Sequence, residues 1–371
     1  MSYRPTLEDM WFRLNLTAEL FRSARGVTPL RFEHIKAVLE GLSCAVTVVE
    51  FFVDPEGVFI FVLKPGDEEP VFLEWSCSGE RLQYLLSTYY RELIQYPQYG
   101  TDQRWQEVAD PLLQLVLPTL EGSDLVYLIP HDTLSYLPLH ALRVNGDYLI
   151  DRFPIVYAPN AELLFKLLRP MVNADGVRRV ENALVAGNPT FDLKHAEGES
   201  QWVASYFGVR SYLGREATKV RIRSQLADKD LIHLACHGFF HSFEPLQSGL
   251  LMAGKRTLNT QDIKAAKIRA DLVTLSACES ALTGNSSHGQ PRGLRLAFLE
   301  AGANSVLGSL WPVADEATTL LISEFYSGLY DPRGEKINTK AKALQQAMLA
   351  VRVRKEHPYY WAGFTLSGSW R

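Results

Sequence analysis

The sequence is poor in the features that would assign it to a disulfide-rich, zinc-binding or membrane class. It has 4 cysteines in 371 residues, and they show neither C-x-x-C zinc spacing nor the regular spacing of a disulfide framework. No apolar stretch approaches the roughly 18 residues of a membrane helix. The first residues, MSYRPTLEDMWFRL, carry charges where a signal peptide needs an apolar core. We therefore expect free thiols, a cytoplasmic location and no membrane partner.

The sequence also lacks an excess of positive charge. Its 38 basic and 42 acidic side chains give a formal net charge of -4, so no cationic field attracts it to nucleic acid. The stretch AGNPT (186–190) is not G-x-G-x-x-G, and no G-x-x-x-x-G-K-[ST] occurs. We expect no direct nucleic-acid binding, no phosphate cradle for a nucleotide and no other cofactor.

What is present is a large apolar fraction in two different patterns. Hydrophobic residues make up 47% of the chain, which is typical of a well-packed protein, and the length suggests two domains. Residues 5–41 have helical periodicity, and so does the stretch 80–120. Short β-rich runs, the first three joined by short turns, predict strands and give the first half an α+β character; they are AVTVVEFFV (45–53), VFIFVLK (58–64), VFLEWS (71–76) and LVYLIP (125–130).

The second half alternates short apolar runs with segments of helical pattern. This alternation predicts an α/β fold with a mostly parallel sheet between helices, and the boundary between the halves is expected within 165–182. The predicted strands are 183–189, 209–214, 231–238, 272–278, 305–311 and 364–368. The predicted helices lie near 196–207, 217–227, 292–302, 315–329 and 339–353.

The run LIHLACHGFF (231–240) places two histidines and a cysteine within a predicted buried strand. Because side chains alternate along a strand, His233 and His237 should face one side of the sheet and Cys236 the other. A single ion could therefore bind all three only if the strand were distorted, so a zinc site is the weaker reading. We expect His233 and Cys236 to fill the core and no metal to be bound here.

Two neighbouring predicted strands end in residues with nucleophilic chemistry. One ends in His237-Gly238 and the next in Cys278-Glu279, and the carboxyl ends of parallel strands meet at one sheet edge. An imidazole beside a thiol favours the thiolate and can later protonate a leaving amine. The backbone N–H groups of Gly238 and Cys278 would then form an oxyanion hole.

A family resemblance makes this reading more specific. LIHLACHGFF, LVTLSACESA, GLRLAFLEAGANSVLGSLWPVADEAT and YYWAGFTLSGSW, taken in order, resemble the CHAT proteases, caspase-like cysteine peptidases related to separase and more distantly to caspases and gingipains. The resemblance implies a caspase-like αβα sandwich, with His237 as general base or acid and Cys278 as nucleophile. It further implies a degenerate companion domain (45–175) and an active protease domain (176–371), which follow the helical segment (1–44) that the periodicity predicts.

The stretch WPVADEAT supplies a candidate specificity residue. Separases carry an acidic residue at the position matching Asp315, so the resemblance implies that Asp315 lines the S1 pocket. A carboxylate there would pair with Arg or Lys before the scissile bond. The competing interpretation is that Asp315 only stabilises the start of a predicted helix through the helix dipole.

Three functions follow from these residues. The first is an endopeptidase that cleaves a protein substrate after a basic residue through a His237–Cys278 dyad; by the resemblance, it acts in a bacterial regulatory or defence pathway, with room for an activating protein partner. The second is a caspase-like interaction module with a silent or self-processing dyad. The third is a metal-dependent hydrolase using His233 and His237. No Asp or Asn that orients His237 can be selected from the sequence.

Overall fold

The computed structural model describes most of the chain. It covers residues 32–54, 56–95, 104–168, 179–239, 241, 244, 247–277, 280, 284–285 and 291–371. The predicted helical pattern of residues 5–31 lies outside these ranges, as do Cys278 and Glu279.

The first half begins with an antiparallel meander. Strands β1 (Val46–Asp54), β2 (Gly57–Leu63) and β3 (Val71–Trp75) pair in this order, as their short turn predicts. Strand β4 (Leu125–Ile129) then lies parallel to β1. The remaining regular elements of this half are α1 (Phe32–Glu40), α2 (Gly79–Tyr89), a π-helical turn (Tyr90–Gln95), α3 (Arg104–Val116), 3-10 turns at Leu117–Leu120, Asp132–Tyr136 and Leu139–Ala141, β5 (Arg143–Val144), β6 (Asp147–Tyr148), α4 (Leu149–Arg152), β7 (Ile155–Tyr157) and α5 (Ala161–Leu168).

The second half alternates strands and helices, as the sequence predicts. Its elements are β8 (Ala183–Gly187), α6 (Lys194–Tyr206), β9 (Ser211–Leu213), a 3-10 turn (Gly214–Glu216), α7 (Lys219–Gln225), β10 (Leu231–Ala235), β11 (Gly238–Phe239), β12 (Gly249–Met252), β13 (Arg256–Asn259), α8 (Thr260–Lys264), β14 (Leu272–Ser276), β15 (Gly284–Asn285), β16 (Pro291–Arg292), α9 (Leu294–Glu300), β17 (Ser305–Ser309), α10 (Asp315–Leu329), α11 (Lys340–Arg354), α12 (Pro358–Trp361) and β18 (Phe364–Gly368).

Strands of both halves join in one eleven-stranded sheet. Its order is β3-β2-β1-β4-β7-β18-β17-β14-β10-β8-β9. Neighbours are parallel except for the β1–β2, β2–β3 and β17–β18 pairs. Thus β18, which follows every other strand in the sequence, connects the strands of the first half to those of the second.

Helices cover both faces of the second half of this sheet. Leu231 of β10 packs in one core with α6, α10 and α11, whereas Ile232 and Leu234 pack in the other core with α7, α8 and α9. This alternation along β10 has the period of two that a strand imposes. The result is the αβα sandwich that the sequence predicts.

Local signals explain where several of these helices begin. Thr218 caps α7 and Thr339 caps α11, each accepting from a backbone N–H in the first turn. At α8, Asn259 and Asp262 satisfy each other's backbone N–H groups in a capping box. These caps fix the start of helices that connect successive strands of the sheet.

The structure confirms the predicted fold class and adds elements that the sequence did not indicate. The short strand β7 and the small β11-β12-β13 sheet were not predicted, and β18 is antiparallel to β17 rather than parallel. The division into a degenerate and an active domain stays a prediction. Within the described ranges, the structure contains no helix with both the length and the apolarity to cross a bilayer.

Candidate active site

Four neighbouring parallel strands bring their carboxyl ends to one edge of the sheet. The order β8-β10-β14-β17 places the residues after each strand close together. His237 follows β10 at this edge, Ala277 follows β14, and Trp311 follows β17. The edge therefore collects the predicted catalytic histidine and the residue that precedes Cys278 in the sequence.

His237 is held by a carboxylate that the sequence analysis did not identify. Its Nε2 lies 3.0 Å from Oδ2 of Asp192, and the two side chains are 39% and 60% exposed. The His237 carbonyl accepts a hydrogen bond from the Leu251 N–H at 2.8 Å. Because Asp192 occupies Nε2, the other ring nitrogen, Nδ1, is the one available to a reacting group.

The loop that carries Asp192 is fixed at its base. Asn188, directly after β8, has a left-handed φ of 46°; its N–H donates to the Ala235 carbonyl and its side-chain oxygen accepts from the Leu193 N–H, both at 2.9 Å. Further along, the Phe191 ring packs against Gly214, and a Cβ on Gly214 would lie 2.9 Å from ring atom Cζ. Gly214 also has a left-handed φ of 50°. A side chain at position 214 would therefore displace the loop.

Asp192 is charged under ordinary conditions. The hydroxyl of Thr190, and after it the ring of His237, hold the pKa of the Asp192 carboxyl below its usual value. A carboxylate that accepts a hydrogen bond from Nε2 fixes the orientation of the imidazole ring. Asp192 is thus suited to orient His237 rather than to transfer a proton itself.

The Gly238 N–H is directed away from its partner strand. Residues in an antiparallel pair alternate between hydrogen-bonded and non-hydrogen-bonded positions, and the Leu251 N–H to His237 carbonyl bond makes 237 and 251 a hydrogen-bonded position. Gly238 pairs with Leu250 at the next, non-hydrogen-bonded position. Since β11 is the edge strand of its small sheet, this N–H is not used in the ladder.

The segment after β14 is tied to β17 on both sides of positions 278 and 279. The Ala277 carbonyl accepts from the Ser309 hydroxyl at 2.8 Å, and the Ser309 N–H donates to the Ser280 hydroxyl at 3.0 Å. Ser280 in turn donates to the Leu275 carbonyl at 3.2 Å. Ser276 and Ala277 line the cleft described next, while Cys278 itself lies outside the described residues.

A cleft of about 100 Å³ opens beside His237. Asp315, exposed at the first position of α10, lines it together with His237. No lysine or arginine lines it among the residues whose positions the structure describes. The full lining is Leu193, His195, Ala196, Glu199, Cys236, His237, Ser276, Ala277, Ser309, Trp311, Val313, Asp315, Thr318 and Phe364.

His233 is buried in the core, as is Cys236, which agrees with the prediction for both residues. His233 Nε2 lies 3.0 Å from Glu199 Oε1, and its Nδ1 lies 3.2 Å from the Tyr326 hydroxyl. His233 and His237 thus each have a carboxylate of their own. In the described part of the chain, no three or more His, Cys, Asp or Glu side chains are grouped so that they could hold a metal ion.

Two mammalian proteins are similar to this chain in sequence. Human tetratricopeptide repeat protein 28 is 28% identical over 316 residues, which are 69% of this chain and 12% of that protein. The mouse protein of the same name is 26% identical over 309 residues, 65% of this chain and again 12% of the relative. The chain thus corresponds to a small part of these relatives.

A solved structure of the separase–securin complex of Saccharomyces cerevisiae superposes with a TM-score of 0.60 at 13% identity, covering 90% of this chain and 31% of that chain. At this identity the likeness shows a shared fold, which is caspase-like. The sequence model of the CHAT domain matches residues 103–369. Since this match spans most of the sequence, the chain belongs to the CHAT domain family.

Proposed function

We propose that the chain is a cysteine endopeptidase that uses His237 and Cys278. The observation that supports this most directly is the position of His237 at the cleft, with Nε2 bound to Asp192 and the opposite ring nitrogen available. The β10–β14 register adds support. The offset that separates Leu231 from Leu272 also separates His237 from Cys278.

The proposed reaction needs only groups at this edge. His237 Nδ1 takes the thiol proton of Cys278, and the thiolate attacks the scissile carbonyl carbon. The carbonyl π electrons move to oxygen, where the N–H groups of Gly238 and Cys278 would stabilise the oxyanion. When the oxyanion collapses, the carbon–nitrogen bond breaks and His237 protonates the leaving amine.

Water completes the cycle in the same way. His237 takes a proton from a water molecule, the resulting hydroxide attacks the thioester carbon, and the carbon–sulfur bond breaks. The proton returns to the Cys278 sulfur, so the acid product is released and the enzyme is restored. Asp192 keeps the imidazole in position during both halves and stabilises its protonated form.

The charge of the cleft supports a preference for a basic residue before the scissile bond. Asp315 and Glu199 line it, and no described cation lies within ion-pair distance of the Asp315 carboxylate. A protein substrate with Arg or Lys at this position would supply the missing counter-charge. Which pathway contains that substrate, and whether it is bacterial regulation or defence, stays a prediction, as does a regulatory protein partner.

The decisive experiment compares two cysteine variants of the full chain. Cys278→Ala should abolish cleavage of fluorogenic peptides ending in Arg or Lys, because no thioester can form. Cys44→Ala, which removes a half-buried thiol outside the cleft, should leave turnover unchanged. Cleavage by the Cys278→Ala protein at the rate of the unaltered chain would refute the proposal.

A non-catalytic interaction module is the second candidate function. The observation in its favour is that the human and mouse relatives are named for their tetratricopeptide repeats rather than for a peptidase activity. A peptidyl electrophile ending in Arg distinguishes the two candidates by mass spectrometry. Labelling of Cys278 supports the peptidase, whereas failure to label it, with or without candidate activating proteins, supports the interaction module.

A further inference from the structure

Glu199 is a buried carboxylate at the cleft with too few partners. It belongs to α6, is 3% exposed and lines the cleft. Its Oε1 is fully buried 3.0 Å from His233 Nε2, yet the two atoms do not meet hydrogen-bond geometry, and Oε1 has no other partner among the described residues. A buried carboxylate normally accepts several hydrogen bonds, so this one retains unused acceptor capacity.

The backbone holds Glu199 in this place. Helix α6 packs closely on the end of β8, where a Cβ on Gly187 would lie 2.9 Å from the Ala196 carbonyl oxygen. No residue larger than glycine fits between the strand and the helix without moving the helix. The approach sets Glu199 against β10, where His233 faces it from the sheet.

The hydrogen bonds of Tyr326 determine the role of His233 Nδ1. The Tyr326 hydroxyl donates to Thr274 Oγ1 at 2.7 Å and therefore accepts from His233 Nδ1. His233 Nε2 then faces Glu199 Oε1 at 3.0 Å without hydrogen-bond geometry. The second carboxylate oxygen of Glu199, Oε2, is the acceptor left for the cleft.

We propose that Glu199 is a second acidic contact of the substrate cleft and that it selects a guanidinium over an ammonium group. The inference rests on the proposed function, in which the cleft receives the side chain before the scissile bond. Asp315 is exposed and Glu199 is buried, and both line the cleft, so a planar group with several donors is suited to contact both. The five N–H donors of a guanidinium meet this requirement, whereas an ammonium is a compact and strongly hydrated point charge.

The walls and the charge of the cleft fit the same ligand. Trp311 and Phe364 are apolar lining residues that can cover the methylene stem of an arginine. The Asp315 carboxylate supplies a counter-charge for the guanidinium.

The test measures binding rather than turnover, so that it does not depend on catalysis. The probes are acetyl-arginine amide, acetyl-lysine amide and the uncharged acetyl-citrulline amide, titrated into the full-length Cys278→Ala chain by calorimetry or NMR. We expect the arginine probe to bind most tightly. Glu199→Gln should weaken it by about tenfold, as for the loss of one charged hydrogen bond, and should weaken the lysine probe by less.

Two further variants separate recognition from folding. Glu197→Gln makes the same charge change on α6 at a residue that contacts Asn188 instead of the cleft, and it should leave all three affinities unchanged. Glu199→Asp retains the charge but shortens the side chain, so it should also lose affinity for the arginine probe; it serves as the test if Glu199→Gln does not fold.

The outcomes distinguish this inference from the proposed function. The inference is overturned if neither Glu199→Gln nor Glu199→Asp changes the affinity for the arginine probe relative to the affinities for the lysine and citrulline probes. This holds even if peptides are still cleaved after arginine. Glu199-dependent binding of the arginine probe, combined with no peptide cleavage by the unaltered chain, supports the inference and counts against the peptidase.

Discussion

The charged groups at the two edges of the parallel strands differ in how completely they are paired. At the amino edge, Asp271 directly precedes β14 and is bound by two lysines: Lys340 Nζ lies 2.8 Å from its Oδ1, and Lys336 Nζ lies 2.9 Å from its Oδ2. Lys340, fully buried, also donates to the Ser305 hydroxyl at 2.8 Å. Every charge of this cluster has a partner, so its role is to hold β14, β17 and α11 together.

At the carboxyl edge of the same strands, the acidic groups are incompletely paired. Asp192 contacts one ring nitrogen of His237, Glu199 lies at ion-pair distance from His233 without a hydrogen bond, and Asp315 has no described cation beside it. Unpaired charge costs stability and is retained where it binds a ligand or orients a reacting group. The comparison therefore supports the carboxyl edge as the location of the proposed site.

Breaking the amino-edge cluster should give the largest loss of stability. Lys340→Met leaves Asp271 buried with one cation fewer, and removal of one partner of a buried ion pair typically costs about 3–5 kcal/mol. Denaturant unfolding of the full chain measures the change. Adding Asp271→Asn to this variant should restore part of the loss, because the buried carboxylate is then neutral and only the more exposed Lys336 has lost its partner.

The matched control is Lys355→Met, which removes a 41% exposed lysine that lies 3.4 Å from the 82% exposed Glu316. A surface pair of this kind contributes about 0–1 kcal/mol, so equal losses of stability for the two variants would contradict the contrast between the buried and the exposed pair.

Burial lowers the pKa of Lys340 to about 7, although Asp271 beside it acts to raise it. The unfolded chain thus binds the extra proton between pH 7 and about 10.4, and the free energy of unfolding should rise over this window; Lys340→Met should remove that rise.

Removing an acidic group from the carboxyl edge should reduce recognition and leave the fold intact. Asp315→Ala should lower kcat/KM for peptides ending in Arg by about 10- to 100-fold, the range expected for a charged hydrogen bond. Alkylation of Cys278 by iodoacetamide should change little, since this reagent places no cation in the cleft. Equal losses in both assays would assign Asp315 to the support of α10 instead.

The smallest expected effect concerns the orientation of His237. Asp192→Ala should lower kcat by about tenfold with little change in KM, the size typical of a residue that supports another group's chemistry. Asp192→Asn should recover most of the rate, because its amide oxygen can still accept a hydrogen bond from Nε2. If the alanine and asparagine variants are equally impaired, the hydrogen bond to His237 is not what Asp192 contributes.

Strand periodicity predicted much of the fold because the strands are short, buried and strongly apolar. It placed His233 in the core and His237 at a strand end, whereas the adjacency of β10 and β14, on which the predicted dyad depends, comes from the structure. It could not reveal the pairing of β18 with β7, since nothing local specifies which strand a sequence-distant segment joins. The two-residue strand β11 is too short to produce a period.

The groups that tune the site were harder to predict for two different reasons. Asp192 follows β8 by only a few residues, so the rule that reactive groups collect at carboxyl strand ends could have selected it if it had been applied to the segment AGNPTFD. Glu199 carried no such signal, because an acidic residue on a polar helix normally faces solvent. Only the packing of α6 against β10 shows that it is buried.

The position of β18 determines when the site can be assembled during synthesis. Without residues 364–368 the sheet falls into two pieces of five strands, β3-β2-β1-β4-β7 and β17-β14-β10-β8-β9. The β7–β18 pair joins Tyr157 to Ser367, and Phe364 is a wall of the cleft. The two pieces can therefore close into one sheet only after residues 364–368 have been synthesised and have left the ribosome. A nascent chain that ends before them contains His237 and Cys278, but the cleft beside His237 lacks the Phe364 wall.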